Sequence, residues 1–335
     1  MTKRQCANAR LCRRADIRSG RQPKREDRRA CRGAPGPEAR LAVMGALQAY
    51  VERTPLPSLA RAVRTVWVQH TGPGLYVQRN LPTGGAEIQC RVGSVPRLVG
   101  PLTAARIELL PAGSTVVGVR FRAGAAAALL GVPADELVDQ VVPLDDVWGD
   151  RAVRLSELLT SAASSSAEAA IGVLQNHLAT IRAVTTHPDP LVATAVRRLM
   201  PWETADIGAL TRELDISTSQ LRRRFLPVVG LAPKTLQRTL RFQGYLALAQ
   251  AAAADDGPGG GRLADLAAAV GYADQSHLGR ECLRLAGLTP RQLLGGRADS
   301  CGLGHDHSAS YQPFLAGAQR AHDARSVQDL VGRAF

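Results

Sequence analysis

One helical pattern occurs twice in this chain, about 57 residues apart, and that duplication restricts the fold of the C-terminal half more than any other feature. The first copy runs Ile207, Leu210, Thr211, Leu214, Asp215, then Leu221, Phe225, Gly230 and Pro233. The second runs Leu263, Leu266, Ala267, Val270, Gly271, then Leu278, Cys282, Gly287 and Pro290. Leu221 to Leu278, Phe225 to Cys282, Gly230 to Gly287 and Pro233 to Pro290 are each 57 residues apart. The preceding apolar sets are offset by 56, so the second copy carries one extra turn residue.

Each copy reads as two helices around a tight turn. Ile207/Leu210/Thr211/Leu214 and Leu263/Leu266/Ala267/Val270 both follow the i, i+3, i+4, i+7 spacing of one helical face. Asp215 and Gly271 stand where the first helix must stop, and both residue types accept a left-handed backbone better than most. Ser217 and Asp274 follow as N-caps of the second helix. Leu221/Phe225 and Leu278/Cys282 are i, i+4 pairs that turn that helix inward. Ser219, Gln220, Arg222 and Arg223 then point outward in copy one, and Gln275, Ser276, His277, Gly279 and Arg280 in copy two. Arg and Gln suit bidentate contacts with guanine and adenine edges, and two tandem units could read two successive major grooves from one chain. The plainer alternative is a pair of amphipathic hairpins in an ordinary helical domain. The repeated register, with the same trailing Gly-Leu-x-Pro-x-x-Leu element, weighs against it.

Residues from about 190 to 296 resemble the double helix-turn-helix domain of AraC/XylS-type transcription regulators. The matching strings are Ile216-Ser217, Leu221-x3-Phe225-x4-Gly230, Arg241 in the connecting helix, Val270-Gly271-Tyr272-x-Asp274-Gln275-Ser276-His277-Leu278 and Gly287-Leu288-Thr289-Pro290. Leu98-Val99-Gly100-Pro101, Gly118-Val119-Arg120-Phe121-Arg122-x-Gly124-Ala125 and Val142-Pro143-Leu144-x-Asp146-x-Trp148 are similar to an uncharacterised N-terminal domain common in one branch of that family. The resemblance implies a sequence-specific DNA-binding transcription regulator whose base contacts come from Ser219, Arg222 and Arg223 in copy one and Gln275, Ser276 and Arg280 in copy two. It also implies partners: double-stranded DNA, a small-molecule effector or a homodimer through the N-terminal domain, and RNA polymerase if the protein activates. The chain departs from the family pattern at Asp215 (usually a turn glycine), Thr211 (a small alanine) and Cys282 (an aromatic). Pro227 falls in the last turn of the first reading helix, where it removes a backbone donor and can kink or shorten the helix.

Charge agrees only after it is sorted by segment. The net charge is +13. Residues 1–40 hold 13 Lys/Arg against 4 Asp/Glu, residues 41–189 hold 12 against 12, residues 190–296 hold 13 against 9, and residues 297–335 hold 4 against 4. Most of the excess is in the leading tail. The only other positive segment is the one with the duplicated pattern, where Arg222-Arg223-Arg224 can meet phosphate. The leading residues are Arg-rich and poor in aliphatics, which predicts disorder. They read either as a basic arm or as an over-extended translation start, the latter favoured because Met44 opens the first patterned segment. They lack the apolar stretch of a signal peptide, and no run of the chain approaches a membrane span of roughly 20 apolar residues. The expected location is the cytoplasm, with no membrane partner.

The six cysteines, Cys6, Cys12, Cys31, Cys90, Cys282 and Cys301, form no C-x-x-C pair and read as reduced thiols. Cys301-x3-His305-x-His307 lacks a fourth ligand nearby, so no metal is expected, and no cofactor. Nucleophile-elbow, phosphate-loop and H-E-x-x-H patterns are absent, so the chain does not read as an enzyme. Two other readings meet obstacles in the sequence. An enzyme fused to a DNA-binding domain, for instance an alkylation-repair type, needs a cysteine cluster that Cys6, Cys12 and Cys31 do not supply. An interaction protein that has lost specific DNA binding is opposed by outward Arg222, Arg223, Gln275 and Arg280.

The fold class expected is α+β: a mixed α/β, sensor-like N-terminal domain followed by an all-α tandem helix-turn-helix domain. The expected divisions are 1–44 disordered basic tail, 45–150 mixed α/β effector or dimerisation domain, 151–189 helical linker, 190–296 DNA-binding domain and 297–335 C-terminal tail. Strands are predicted at 64–69, 86–92, 106–110 and 114–121 from β-branched content and Gly/Pro punctuation, and short helices at 125–130 and 134–140. Residues 152–183 read as helices broken near 161–166, with His187-Pro188-Asp189-Pro190 ending the linker. A long helix spans 233–254, and Asp255–Gly261 reads as a surface insert between the two units. Trp67, His70, Glu87 and Trp148 are the N-terminal residues best suited to line a ligand pocket.

Overall fold

A computed structural model describes residues 49–184, 189–203, 206–256, 263–295 and 305–332. The expectations for the basic tail with Cys6, Cys12, Cys31 and Met44, for His187 and Pro188, for Cys301 and for the insert beyond Asp256 lie outside the described residues. The fold is α+β, a β-rich N-terminal domain followed by a helical C-terminal region.

The N-terminal strands are β1 (Ala49–Arg53), β2 (Val63–His70), β3 (Tyr76–Asn80), β4 (Glu87–Arg91), β5 (Arg97–Val99), β6 (Arg106–Leu110), β7 (Thr115–Phe121) and β8 (Val141–Pro143). Six of them form one antiparallel sheet in the order β1-β2-β7-β4-β5-β8, and β3 pairs with β6 in a separate ribbon. Residues Val63 to Gln69 of β2 are all buried, so the strand is covered on both faces. Val66 and Val68 face a core shared with Ile88, Val119 and Leu155. Trp67 faces the other way, against Tyr76, Leu110 and Val116. Opposite Trp67 stands Gly118, where a Cβ would come within 2.2 Å of the indole ring. The register slips between Val63 and Thr65, which leaves Arg64 as the extra residue of a bulge.

Helices α1 (Ala126–Leu130), α2 (Asp145–Trp148), α3 (Asp150–Ala163) and α4 (Ala167–Val184) follow the sheet. Leu155, Leu159, Leu174 and Leu178 close its core, and the break between α3 and α4 falls at the serine run expected to interrupt them. The helix expected at 134–140 is only a 3-10 turn over Ala134–Leu137 that leads into β8. Asp139 has φ +58, a left-handed conformation that no helix can continue through. Strands β1, β3, β5 and β8 lie outside the predicted strands.

The helical region comprises α5 (Pro190–Arg198), α6 (Ile207–Glu213), α7 (Thr218–Val229), α8 (Pro233–Asp256), α9 (Leu263–Ala269), α10 (Gln275–Ala286) and α11 (Pro290–Leu294). Their apolar faces meet in a second core that includes Leu221, Phe225, Tyr245, Val270, Leu278 and Cys282. Leu81, Ala123 and Val138 of the N-terminal domain pack against this core.

The segment expected to be a C-terminal tail instead contains a helix, α12 (Ser308–Gly332), which places Tyr311 and Phe314 in the second core. Its first turn is anchored on β1 through Glu52, whose side chain is 1 % exposed. That carboxylate accepts from Ser310 N (2.8 Å), Ser310 Oγ (2.9 Å), Tyr50 Oη (2.7 Å) and Arg120 Nη1 (2.9 Å), and pairs with His307 Nδ1 (2.9 Å). Arg120 is shared, its Nε donating to Glu87 Oε1 at 2.6 Å. A buried anion at a helix N-terminus is favoured by the exposed N–H groups and the helix dipole. Burial alone would raise the Glu52 carboxyl. The His307 hydrogen bond and the Arg120 charge outweigh it and hold the group well below the usual carboxylate range.

Beside it, His305 stacks on Tyr50 at 4.8 Å, and burial, reinforced by the charge of His307, pushes its pKa down to about 4. Between that value and the ordinary one near 6.5 the unfolded chain binds the extra proton, so stability rises with pH across this window. Acidifying from about pH 6.5 to 4 should therefore lower the melting temperature, and His305→Phe should flatten that slope. A wild-type melting temperature constant over this window would contradict the buried, neutral His305.

Candidate nucleic-acid interface

The duplicated pattern folds as two helix-turn-helix units joined by α8. In the first, α6 is capped by Leu214 and Asp215 turns the chain with φ +50; in the second, α9 is followed by Gly271 at φ +82. The two residues occupy equivalent places, and the extra residue of copy two lies between Gly271 and the next N-cap. Ser217 caps α7 through a capping box: its Oγ accepts from Gln220 N at 3.1 Å, and Gln220 Oε1 accepts from Ser217 N at 2.8 Å. Asp274 caps α10, its carboxylate accepting from His277 N at 2.6 Å. Pro227 does not end α7, which runs on to Val229 and stops at Gly230 with φ +83.

Leu221 and Phe225 of α7, and Leu278 and Cys282 of α10, are fully buried. Their helices therefore present the opposite faces to solvent. Ser219, Arg222 and Arg223 are exposed on α7, and Gln275, Ser276 and Arg280 on α10. None of these four charged or amide side chains is in an ion pair with a described residue. Three other outward residues are committed elsewhere. Gln220 is held in the capping box, and Arg224 donates to Asp189 Oδ2, the N-cap of α5, at 2.8 Å. His277 folds back edge-on to Tyr272, with ring centroids 5.1 Å apart.

Contacts outside the sequence expectations fix the second unit. Arg238 of α8 makes a bidentate pair with Glu281 of α10, at 2.9 and 2.7 Å. Arg241 of α8 lies over the ring of buried Tyr272 at 5.8 Å. Arg79 of β3 donates to Ala286 O, the C-terminal carbonyl of α10, at 2.8 Å. The signal for the first of these was in the sequence. Glu281 sits on the inward stripe Leu278, Glu281, Cys282, Leu285, where an acid requires a partner. Glu281→Ala should cost about 1.5–3 kcal/mol, the range for hydrogen bonds to a charged group. Denaturant unfolding checks this, and a loss below about 0.5 kcal/mol would show that the pair does not hold α10.

The first unit is fixed at its C-terminal end. Gly230 lies against Ala134 O, where a Cβ would come within 2.7 Å, and Gly124 lies beside Val228 and Val229. Of the N-terminal residues expected to line a pocket, Trp67 and Glu87 border a small polar cavity of about 40 Å³. His70 is bonded to Thr115 Oγ1 at 3.0 Å, and Trp148 packs on His177 with ring centroids 5.6 Å apart. None of the four reaches a cavity of about 1110 Å³ that lies between the N-terminal domain and the helical region. Among the described residues no helix is long and apolar enough to cross a membrane, and no group of three or more His, Cys, Asp or Glu is placed to hold a metal ion.

A helix-turn-helix domain family matches residues 210–295, and a domain of unknown function, DUF6597, matches residues 51–143. Comparison with curated proteins finds no match. Solved structures of ToxT from Vibrio cholerae are similar to this chain. One has a TM-score of 0.39 and 11% identity, covering 74% of this chain and 98% of that one. Another has a TM-score of 0.38 and 13% identity, covering 69% and 96%. Residues 210–295 thus form an AraC-type helix-turn-helix domain behind a DUF6597 domain, and the chain is a DNA-binding transcription regulator.

Proposed function

We propose that one chain reads two successive major grooves, with Ser219, Arg222 and Arg223 on α7 at one and Gln275, Ser276 and Arg280 on α10 at the other. The observation that carries the reading is the pair of solvent-facing polar strips on helices whose opposite faces are locked into one core around α8. Arginine and glutamine side chains can fork onto guanine and adenine edges, while the helix N-termini are suited to phosphate. The N-terminal domain senses a small molecule or pairs with a second copy, and RNA polymerase is a partner if the protein activates. Selection of sites from random DNA with the full chain, followed by footprinting, tests this. Protection of two major-groove faces one helical turn apart, about 34 Å, with one chain per site is the expected result. One protected groove per chain overturns it.

A further inference from the structure

The cavity between the N-terminal domain and the helical region has an unusual charge balance. Its walls come from β2, α1 and α4 on one side and from α5, α7, α8 and α12 on the other. Leu129, Val196, Val228 and Phe314 supply apolar surface. Six arginines also line it: Arg61, Arg64, Arg122, Arg182, Arg197 and Arg320. Among the described residues none of the six lies within ion-pair distance of a carboxylate. The one acidic residue at the wall, Glu203, is taken up by Arg198 at 2.6 Å.

Arg64 is the informative member. The bulge in β2 sets its side chain apart from the ladder, and it is 7 % exposed. Its donors meet only neutral acceptors: Nε to Ser310 O (2.8 Å), Nη1 to Thr83 O (3.3 Å) and Nη2 to Gln243 Oε1 (3.0 Å). Its guanidinium lies over the Phe314 ring at 4.7 Å. Glu52, whose charge reaches Arg64, is already held by Arg120 and His307. Burial and the Arg120 charge push Arg64 down to about 10, and burial lowers Arg122 as well. Arg122 spends its Nε on Ala60 O at 2.8 Å. A buried cation without its own counter-charge is costly, and an anion placed beside buried Arg64 and half-buried Arg122 would offset that cost.

We propose that this cavity binds an amphipathic organic anion, its carboxylate or phosphate head held by Arg64 and Arg122 and its apolar body lying along Leu129, Val196, Val228 and Phe314. The proposal rests on the reading that the N-terminal domain senses a small molecule, and it names that molecule's chemistry. It also gives a route to DNA. Val228 belongs to the last turn of the first reading helix, and Val196 to the helix whose N-cap, Asp189, holds Arg224. A ligand touching both would bias how α7 docks on the N-terminal domain, and so the setting of that helix.

The test uses the full chain and four probes: dodecanoate, dodecyl phosphate, methyl dodecanoate and inorganic phosphate. Trp202 lines the cavity, so tryptophan emission is the readout, with Trp202→Phe as its control. Saturable one-to-one binding of dodecanoate or dodecyl phosphate is expected, and the stronger of the two identifies the head group. The ester and inorganic phosphate should each bind at least about tenfold more weakly, because each lacks the charge or the apolar body. Arg122→Gln should lose about tenfold for the charged probes while still melting cooperatively, and Ala193→Phe should block them by filling the space. Arg64→Gln is less useful alone, because Arg64 also ties Ser310, Thr83 and Gln243 together. Equal binding of acid and ester, unchanged binding by Arg122→Gln and Ala193→Phe, or no binding of either anion would overturn the proposal. A thermal-shift hit confined to neutral or cationic compounds would overturn it too, while leaving the sensing reading intact.

Discussion

Arg223→Ala and Arg280→Ala made together should weaken binding to the selected DNA site by about 2–6 kcal/mol, roughly 30-fold to 10⁴-fold. Each arginine able to fork onto a guanine contributes about 1–3 kcal/mol of discrimination. The two lie on different helices with no shared partner, so their losses should add. Neither change should harm the fold. Both side chains are exposed, outside the core of Leu221, Phe225, Leu278 and Cys282, so the melting transition should stay within about 0.5 kcal/mol of wild type. Affinity for scrambled DNA decides what the loss means. If the double variant loses as much there, the two arginines serve phosphate. If only cognate binding falls, and preference relaxes at one base position for each single variant, they read bases. Arg224→Ala is the internal control. Its guanidinium is already held by Asp189, so its removal should leave sequence preference alone and disturb the link between α7 and α5.

The two turns were legible because their chemistry is local. A left-handed residue is needed where the first helix of each unit stops, and Asp215 and Gly271 are residue types that supply it. The N-caps Ser217 and Asp274, the buried i, i+4 pairs and the exposed candidates followed from the same short windows. Strands β2, β4, β6 and β7 carried enough β-branched residues to be read. The missed β1 and β8 are edge strands, and β5 and β8 span only three residues each, too short for an alternation to show. Helix α12 was hidden for another reason. Pro313, the glycines and the polar residues of 301–312 read as a tail, whereas its order comes from Glu52, more than 250 positions away from Ser310 in the chain. The arginine-lined cavity was equally illegible. Arg64, Arg122, Val196 and Phe314 come from four separate stretches, and nothing in any one of them points to the others.

Glu52→Ala should destabilise the protein by about 3–5 kcal/mol, the usual consequence of removing one partner from a buried ion pair. Five groups lose this acceptor at once: Arg120 Nη1, Ser310 N, Ser310 Oγ, Tyr50 Oη and His307 Nδ1. Arg120 keeps Glu87 at 2.6 Å, which limits the damage on the sheet side. No such reserve exists at the start of α12, where the Ser310 amide faces a buried space with no carboxylate. The loss should therefore concentrate in the docking of α12, lowering the melting temperature by about 5–15 °C and opening the 305–332 segment to protease before the sheet unfolds. Glu52→Gln, which keeps the shape and an acceptor oxygen but not the charge, should fall between the two. The pH dependence separates charge from packing. A carboxyl held below its ordinary value contributes stability that is present above about pH 4.5 and lost as the pH falls through its folded value. Glu52→Gln should therefore show a shallower acid-induced loss below about pH 4.5 than the wild type, while the His305 slope between about pH 6.5 and 4 persists. A Glu52→Ala protein within about 1 kcal/mol of wild type, with unchanged proteolysis of α12, would show that Tyr311 and Phe314 alone hold the helix in place.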